Sequence, residues 1–273
     1  MTSSPKQLLP EYANPPLNEV VCGVLFKSLD LLLTPYLGVL WQHYKDNYPT
    51  CQEVPPIIPI IESFERQPKP KPELTEIPPL PRVWFVHADG NGVIQVQRDR
   101  FLHNWRQLKR IEQYPRFEPV FDMFVNHFET FKEFVKKHNL GTLEPLQYEL
   151  TYINHIYQGE GWSTNADVGK IFSDFVWRAK EGRFLAAPEI INWRTTFILP
   201  NKAGRLHMVV RTGESREDSR PLYLFELTAR GFIQNKSLDK MKEWFDLAHQ
   251  WIVCGFTDLT DENTQRAVWK RTR

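Results

Sequence analysis

Near the start of the sequence, two prolines come directly before a stretch with the pattern of a β-strand, and this feature limits the folds that the chain can adopt. Residues 12–26 read Tyr-Ala-Asn-Pro-Pro-Leu-Asn-Glu-Val-Val-Cys-Gly-Val-Leu-Phe. Pro15 and Pro16 lack a backbone N–H and fix φ, so they hold the chain extended on entry. From Val20 to Phe26 every second side chain is apolar, which is the period of a β-strand. The sequence therefore predicts the first strand of a central sheet directly after the prolines.

Counted from this first strand, the chain shows one order of elements twice: strand, helix, several strands, helix. Turn residues such as Asp89-Gly90-Asn91-Gly92 separate the strands, because glycine and asparagine accept the positive φ of tight hairpins. We expect strands at residues 20–26, 57–64, 82–88, 93–98, 101–105, 150–156, 191–199, 205–211 and 221–227. We expect helices at residues 34–48, 115–138, 167–179 and 238–256. The densest apolar stripe holds Phe121, Phe124 and Phe128 and needs a broad apolar partner.

This order predicts an α+β protein in which a curved, mainly antiparallel sheet carries helices on one face. We expect two pseudo-repeated halves whose first strands occupy equivalent places. A saddle of the TATA-binding-protein type is the nearest analogue, and a helix-grip or tunnelling-type fold is the alternative. The expected division is a flexible N-terminus at 1–11, halves at 12–140 and 141–260, and a C-terminal tail at 261–273, all in one compact domain.

Composition excludes several classes of protein. Of the 273 residues, 41% are hydrophobic and 13% aromatic, which is enough for a sizeable core. The 34 basic and 33 acidic residues give a net charge of +1, so no global field attracts nucleic acid or anionic membrane. Cys22, Cys51 and Cys254 fit free thiols better than a disulfide framework. With neither a signal-type leader nor a long apolar run, we expect a cytoplasmic protein without a membrane span.

Several short motifs resemble an uncharacterised prokaryotic family of similar length. The opening Asn-Pro-Pro-Leu-x-Glu-Val-Val motif of residues 14–21 carries the resemblance. The later matches are the pair Asn104-Trp105, the strand residues Tyr152 and Asn154, and the helix residues His249, Phe256 and Thr257. That family is distributed sporadically and is often found near mobile or defence genes. The resemblance implies membership of the family, but it implies no particular reaction.

No constellation of residues indicates catalysis or a bound cofactor. The eight histidines form no tight pair with a carboxylate at metal-ligand spacing, and the sequence has no Cys-x-x-Cys motif. The turn at residues 89–92 lacks the later ligands of a calcium loop. Gly159-Glu160-Gly161 lacks the Lys-Ser/Thr of a phosphate-binding loop. We therefore expect no metal, no cofactor and no catalytic residue.

Six residues are candidates for binding rather than for catalysis. They are Glu19, Trp105, Tyr152, Asn154, Trp193 and Arg194. Glu19, at the lip of the first strand, is a solvated edge charge in the favoured interpretation. The alternatives are half of an ion pair with Arg194 or Arg211 and, less favoured, a catalytic group. A buried Asn154 needs partners for its amide, which predicts a hydrogen-bond network between strands.

Basic residues beside aromatic ones would contact a nucleic acid if the protein binds one. They are Arg106, Lys109, Arg110, Lys136 and Lys137. Aromatic rings and arginines together suit single-stranded nucleic acid. On a chain this close to neutral, however, solvated surfaces are the favoured interpretation of these stretches.

The favoured interpretation of the whole chain is a non-enzymatic interaction or regulatory protein. The resemblance implies a component of an antiphage-defence or toxin–antitoxin system, with a protein partner encoded by a neighbouring gene. One alternative is a nucleic-acid-binding module that uses the concave sheet and the basic stretches. The other is a small-ligand-binding or hydrolytic protein with a pocket between sheet and helices.

Overall fold

The computed structural model describes residues 8–64, 81–109, 112–178, 181–232 and 237–273. Over these residues the chain forms one antiparallel sheet and four α-helices. The strands are β1 (Leu17–Phe26), β2 (Thr50–Val54), β3 (Arg82–Val86), β4 (Gly92–Gln97), β5 (Arg100–Arg106), β6 (Pro145–Tyr157), β7 (Asn192–Ile198), β8 (Gly204–Glu214) and β9 (Pro221–Phe232). The helices are α1 (Thr34–Trp41), α2 (Phe117–Lys137), α3 (Leu238–Leu259) and α4 (Glu262–Ala267). The expected α+β class with a large antiparallel sheet is confirmed.

The proline-led strand β1 is the middle strand of the sheet. The strand order is β2-β3-β4-β5-β1-β6-β9-β8-β7, and neighbouring strands are antiparallel. Val24 of β1 lies opposite Phe101 of β5 and Tyr148 of β6. The carbonyl of Pro16 already accepts a hydrogen bond from the His155 amide at 2.8 Å. The extended entry that the prolines impose is therefore continuous with the sheet.

Helices α2 and α3 pack side by side on one face of the sheet. Phe131 of α2 lies 5.8 Å from Phe26 of β1, measured between ring centroids. Phe245 of α3 lies 5.6 Å from Tyr148 of β6 and 5.4 Å from Phe124 of α2. The two helices and the sheet therefore share one core, and the opposite face of the sheet has no α-helix on it among the described residues.

The apolar stripe predicted over residues 115–138 forms α2 and is buried along its whole length. Its buried side chains are Phe117, Val120, Phe121, Phe124, Phe128, Phe131, Phe134 and Val135. Spacings of three and four residues place these side chains on one side of the helix, which faces the sheet. The stripe predicted for the closing helix is buried in the same way in α3, except that Leu238 is 50% exposed.

The α-helix predicted at residues 167–179 is wrong. A 3₁₀ helix spans Asn165–Lys170, with a capping box formed by Thr164 and Asp167. Phe172 then forms an isolated antiparallel bridge with Thr260, and no helix follows up to residue 178, where this described range ends. The extended backbone that the bridge requires at Phe172 ends the helix after a few residues.

Helix α1 is shorter than the predicted range of 34–48. It ends at Trp41, and turns follow up to residue 47. The indole Nε1 of Trp41 donates to the Tyr48 carbonyl at 2.9 Å. This bond fastens the turns against the end of the helix.

The edge strand predicted at residues 57–64 is also wrong. The edge strand is β2, which pairs with β3 and ends at Val54. Pro55, Pro56 and Pro59 cannot donate to a neighbouring strand, so pairing stops where they begin. The proline-rich stretch at residues 65–80, and Arg110, lie outside the described residues.

Residues 55–64, which we call the strap, instead cross the face of the sheet opposite the helices. The side chain of Gln97 accepts a hydrogen bond from the Ile57 amide at 2.8 Å and donates to its carbonyl at 3.0 Å. The side chain of Gln147 accepts from the Glu62 amide at 2.8 Å. Side-chain amides of β4 and β6 therefore hold the backbone of the strap.

The two ends of the described chain lie against each other. The Thr272 amide donates to the Glu11 carbonyl at 2.8 Å, and Tyr12 forms an isolated bridge with Arg271. Helix α4 lies in the region that the sequence predicted as a tail. This pairing places residues 8–17 beside α3, where they become a wall of the cleft described next.

All three cysteines are free, as expected: Cys22 is buried, Cys51 exposed and Cys254 half-buried. Among the described residues, none of the helices combines the length and the apolar character that a membrane crossing requires.

Candidate functional site

A cleft of about 1060 Å³ opens on the helical side of the sheet. The segment 8–17 forms one wall, the start of α2 another and the face of α3 from Lys242 to Phe256 a third. Strand β6 contributes Tyr152 and Asn154 to its base. Clefts of about 300 to 1,000 Å³ between separate elements are the usual form of small-molecule sites.

Three hydrogen-bonding side chains form a chain at the base of this cleft. The hydroxyls of Tyr114 and Tyr152 lie 2.9 Å apart, and the Tyr152 hydroxyl lies 2.9 Å from Nδ1 of His249. The imidazole of His249 stacks on Phe117, with ring centroids 4.2 Å apart and an angle of 9° between the planes. The β5–α2 connection, β6 and α3 thus each supply one member of a connected array, the Tyr114–Tyr152–His249 chain.

Burial keeps the Tyr114–Tyr152–His249 chain uncharged. It lowers the pKa of His249 to about 4, although Glu118 and Asp246 oppose the shift. Burial, and then the neighbouring Tyr114, hold the pKa of Tyr152 well above its ordinary value, and burial also raises the pKa of Tyr114. At neutral pH the base of the cleft therefore offers hydroxyls and a neutral imidazole, but no charge and no base matched to pH 7.

The walls of the cleft are mainly apolar. Their apolar side chains include Leu17, Phe117, Leu227, Ile252 and Phe256. Several charges at the rim occur in pairs, such as Arg273 with Glu11 at 2.5 Å and Lys242 with Asp246 at 2.9 Å. A molecule with an apolar body and an uncharged polar group matches this surface better than a highly charged one.

The cleft gathers several of the residues that the sequence motifs singled out. Those that line it are Pro15, Leu17, Tyr152, Asn154, His249 and Phe256. The next helix residue, Thr257, hydrogen-bonds through Oγ1 to the hydroxyl of Tyr12 at 2.7 Å. Trp105 packs on Tyr114, with ring centroids 5.2 Å apart. Motifs that are scattered over most of the sequence therefore meet around one site.

Asn154 is buried and makes the inter-strand bond that its burial predicted. Its Nδ2 donates to the carbonyl of Phe225 at 3.1 Å. Because Phe225 lies opposite Asn154 on β9, this bond fastens β6 to its neighbour at the base of the cleft.

Glu19 lies on the opposite face of the sheet. Its Oε1 accepts a hydrogen bond from Nδ2 of Asn104 at 2.5 Å. Burial raises the pKa of Glu19 in spite of this bond and of the nearby arginines 106 and 82. The favoured interpretation of Glu19 as a solvated edge charge is wrong, because β1 is the middle strand and burial dominates the pKa of Glu19. The alternative ion pair with Arg194 or Arg211 is also wrong, because these residues lie on β7 and β8, four and three strands from β1. A neutral amide, and not a cation, is the direct partner of the carboxylate.

Trp193 and Arg194 are also separate from the cleft. They lie on β7, the strand at one edge of the sheet. The ring of Trp193 packs on Phe175 at 5.7 Å and on Phe172 at 6.2 Å between centroids. Trp193 therefore packs beneath the edge strand β7 and takes no part in the cleft.

The basic residues proposed for nucleic-acid contact do not form one patch. Arg106 and Lys109 lie at the end of β5 and in the following turn, before α2 begins. Lys136 and Lys137 lie in the last turn of α2. Because α2 has 21 residues, its two ends are about 30 Å apart. A continuous basic groove through these residues is therefore not present in the described structure.

Sequence reasoning missed Tyr114 and Phe117 as members of the site. Tyr114 lies in the irregular connection between β5 and α2, where no periodic pattern assigns a direction to a side chain. Phe117 belongs to the apolar stripe of α2 but also stacks on His249. A tyrosine beside a proline at the start of an apolar helix was the one local signal, and it is a weak one.

In the described ranges, no group of three or more histidine, cysteine, aspartate or glutamate side chains is placed to hold a metal ion. Comparisons with protein-family models, curated proteins and solved structures find no match to this chain. The geometry of the cleft is therefore the basis for assigning a function.

Proposed function

We propose that this protein is a non-enzymatic regulatory protein that binds an amphipathic small molecule in the cleft. The observation that carries the proposal is the uncharged Tyr114–Tyr152–His249 chain at the base of a cleft of about 1060 Å³. A few fixed polar groups in an apolar wall orient a ligand, because each must be matched when water leaves. A hydroxyl, amide or carbonyl of the ligand forms a hydrogen bond with the Tyr114–Tyr152–His249 chain, and the apolar body of the ligand lies along α3.

The chemistry of the lining supports binding over hydrolysis. The described lining contains no serine, threonine or cysteine that could act as a nucleophile beside His249. A general base works best when its pKa is near the operating pH, whereas burial lowers the pKa of His249 to about 4. The same neutral imidazole is well suited to accept or donate one hydrogen bond.

Recovery of the bound molecule tests this proposal. The tagged full chain is purified from its native host, and the released small molecules are identified by mass spectrometry. The variant Tyr152→Phe removes the middle hydroxyl of the chain. Tyr148→Phe is the matched control, since Tyr148 lies on the same strand and the same face but outside the cleft lining.

We expect the wild type and Tyr148→Phe to carry the same compound, and Tyr152→Phe to carry much less of it. Equal recovery from both variants would contradict a role for the hydrogen-bonded chain. Recovery of a protein partner with no small molecule would favour a protein-interaction role. Recovery of nucleic acid with no small molecule would favour the nucleic-acid-binding module.

The wider role that we propose is regulation within an antiphage-defence or toxin–antitoxin system, with a partner encoded by a neighbouring gene. The resemblance of the Asn14-Pro15-Pro16 motif and the later motif residues supports this setting. Phage plating, or rescue of growth from a neighbouring toxin, tests it with wild type and Tyr152→Phe. If phage plating and growth beside the toxin are the same with and without this gene, the proposed role is overturned. The binding of a small molecule is tested separately, by the recovery experiment.

We also propose that the sheet arose from two pseudo-repeated halves in a saddle-like arrangement. In support, β1 and β6 are adjacent, and β5 and β9 follow on their outer sides. Each half continues into a long helix, α2 or α3, after its last strand. Superposing residues 12–140 on 141–260 in an experimental structure is the test. It fails if β1 does not fall on β6 when α2 falls on α3.

A further inference from the structure

A second cavity, of about 390 Å³, lies on the helical side of the sheet beside the β3–β4 turn. Strand β5 contributes His103 and Trp105 to it, and α2 contributes Pro119, Val120 and Met123. None of its lining residues also lines the larger cleft. It is therefore a separate site with its own chemistry.

His103 is the feature that points to a ligand in this cavity. The residue is 1% exposed, and in the part of the chain that the structure describes neither ring nitrogen completes a well-aligned hydrogen bond, although His103 makes a weaker polar contact with the Val120 backbone. The adjacent His127, with its ring centroid 5.2 Å away, is by contrast bonded at Nε2 to the Tyr48 hydroxyl at 2.8 Å. Buried polar groups in folded proteins almost always have a partner. A group that enters the cavity would provide one for His103.

That group is uncharged, since His103 itself carries no charge. Burial lowers the pKa of His103 to about 3, the neighbouring His127 adds to the shift, and the contact with the Val120 backbone opposes it only in part. A neutral imidazole presents one donor and one acceptor. It therefore matches a hydroxyl, which can also donate or accept, better than an ammonium group or a carboxylate.

The carboxylates at the mouth of the cavity support the same conclusion. Asp89 lies 2.8 Å from Nδ1 of His87, and Glu112 accepts hydrogen bonds from Nδ2 of Asn91 at 2.7 Å and from the Leu108 amide at 2.9 Å. Both carboxylates already have partners, so they provide no unpaired anion for a cationic ligand. Their negative charge also disfavours the entry of an anion.

The remaining walls suit a flat ring. Trp105 offers an indole face, and Pro119, Val120 and Met123 are apolar. Aromatic rings pack well against tryptophan and against the thioether of methionine. We propose that this cavity binds a small aromatic hydroxyl compound, with its ring between Trp105 and Met123 and its hydroxyl bonded to His103.

Titration of the full chain with phenol and with benzene tests this proposal, because the two probes differ only in the hydroxyl. Amide and imidazole NMR signals report both the affinity and the location. We expect saturable shifts at residues 87–92, 103–105 and 119–123, with phenol binding at least about fivefold more tightly than benzene. No saturable shift at these residues, shifts confined to the larger cleft, or equal affinities would each overturn the proposal.

Two variants separate the hydrogen bond from the shape of the cavity. His103→Phe should abolish the preference for phenol over benzene and should not lower the melting temperature, since the variant removes two buried polar atoms that lack well-aligned hydrogen bonds. Met123→Ala should weaken both probes by a similar factor and keep their ratio. A preference for phenol that survives in His103→Phe would contradict the proposal. The ratio measured on the wild type decides the matter even if His103→Phe does not fold.

Discussion

The Tyr152 hydroxyl and Nδ1 of His249 lie 2.9 Å apart, although 97 residues separate them in the sequence. The tyrosine belongs to β6 and the histidine to α3, so their hydrogen bond joins the sheet to the helical layer. Tyr114 extends the contact to the β5–α2 connection. One array of polar groups therefore contributes to stability and forms the base of the cleft.

Replacing Tyr152 by phenylalanine should destabilise the protein by about 1–3 kcal/mol, because the Tyr114 hydroxyl and His249 Nδ1 both lose a buried partner. Urea denaturation measures the free energy of unfolding. Tyr148→Phe, on the same strand, should change it by less than about 0.5 kcal/mol. Equal effects of the two variants would mean that the bonds of Tyr152 contribute no net stability.

Replacing Phe124 by alanine should cost about 3–5 kcal/mol, since removal of a buried ring leaves a cavity that the neighbouring side chains fill only in part. Phe124 is 0% exposed. The neighbouring residue Met123 is 39% exposed, so Met123→Ala should have a much smaller effect. If thermal melts of the two variants coincide, the face of α2 that contacts the sheet has been misassigned.

Glu19→Gln should be at least as stable as the wild type at neutral pH. Burial raises the pKa of Glu19 above 4.5, so the folded state holds its proton more tightly than the unfolded chain does. In the interval from 4.5 up to the raised pKa, the contribution of Glu19 to stability falls as pH rises. Glutamine keeps a carbonyl oxygen for Asn104 and removes the charge, and with it this pH dependence.

Denaturation of Glu19→Gln and the wild type from about pH 4 to about pH 8 checks this expectation. Cellular function should also survive the substitution if Glu19 has a structural role. A folded but inactive variant would instead assign Glu19 to a binding or catalytic role.

The strap should loosen when Glu62 is neutralised. Burial alone would raise the pKa of Glu62, but hydrogen bonds and charge from His207 and Arg205 lower it below 4.5. A lowered pKa stabilises the fold above 4.5, and this contribution is lost as pH falls through the lowered value. Glu62→Gln should therefore reproduce at pH 7 part of the effect of acid on the wild type.

Hydrogen exchange at the Ile57 and Glu62 amides measures this loosening, because both donate to side chains of the sheet. Exchange should become faster there in Glu62→Gln and stay unchanged at Ile94 in the middle of β4. Uniformly faster exchange over the sheet would indicate a global loss of stability and not a loosened strap.

Gly231→Ala should destabilise the protein by about 1–3 kcal/mol through overpacking. A Cβ atom at this position would lie 2.0 Å from Nε1 of Trp244 and 2.4 Å from the Ala203 carbonyl. Gly213, on the adjacent strand β8, is the matched control, since its nearest neighbour would be a Leu222 methyl group at 3.8 Å. If both alanine variants melt alike, Trp244 does not pack on β9 in this way.

Much of the fold could be predicted from the sequence alone, because local spacing decides where strands and helices form. Alternation after Pro16 predicted β1, the glycine- and asparagine-containing turn predicted the β3–β4 hairpin, and the phenylalanine stripe predicted α2. Each of these patterns spans a short stretch of sequence and does not depend on which other element packs beside it. The helix wrongly predicted at residues 167–179 falls where a distant contact overrides the local pattern, because Phe172 pairs with Thr260.

The candidate site was decided almost entirely by tertiary structure. The sequence determined that Tyr152 and Asn154 lie on one face of a strand and that His249 lies on a helix. Only the packing of α3 over β6 brings His249 to Tyr152, and only the strand order places Glu19 beside Asn104 on the other face. Strand order and helix packing depend on how the whole apolar surface is buried at once. No local pattern contains that information, because burial is a property of the assembled chain.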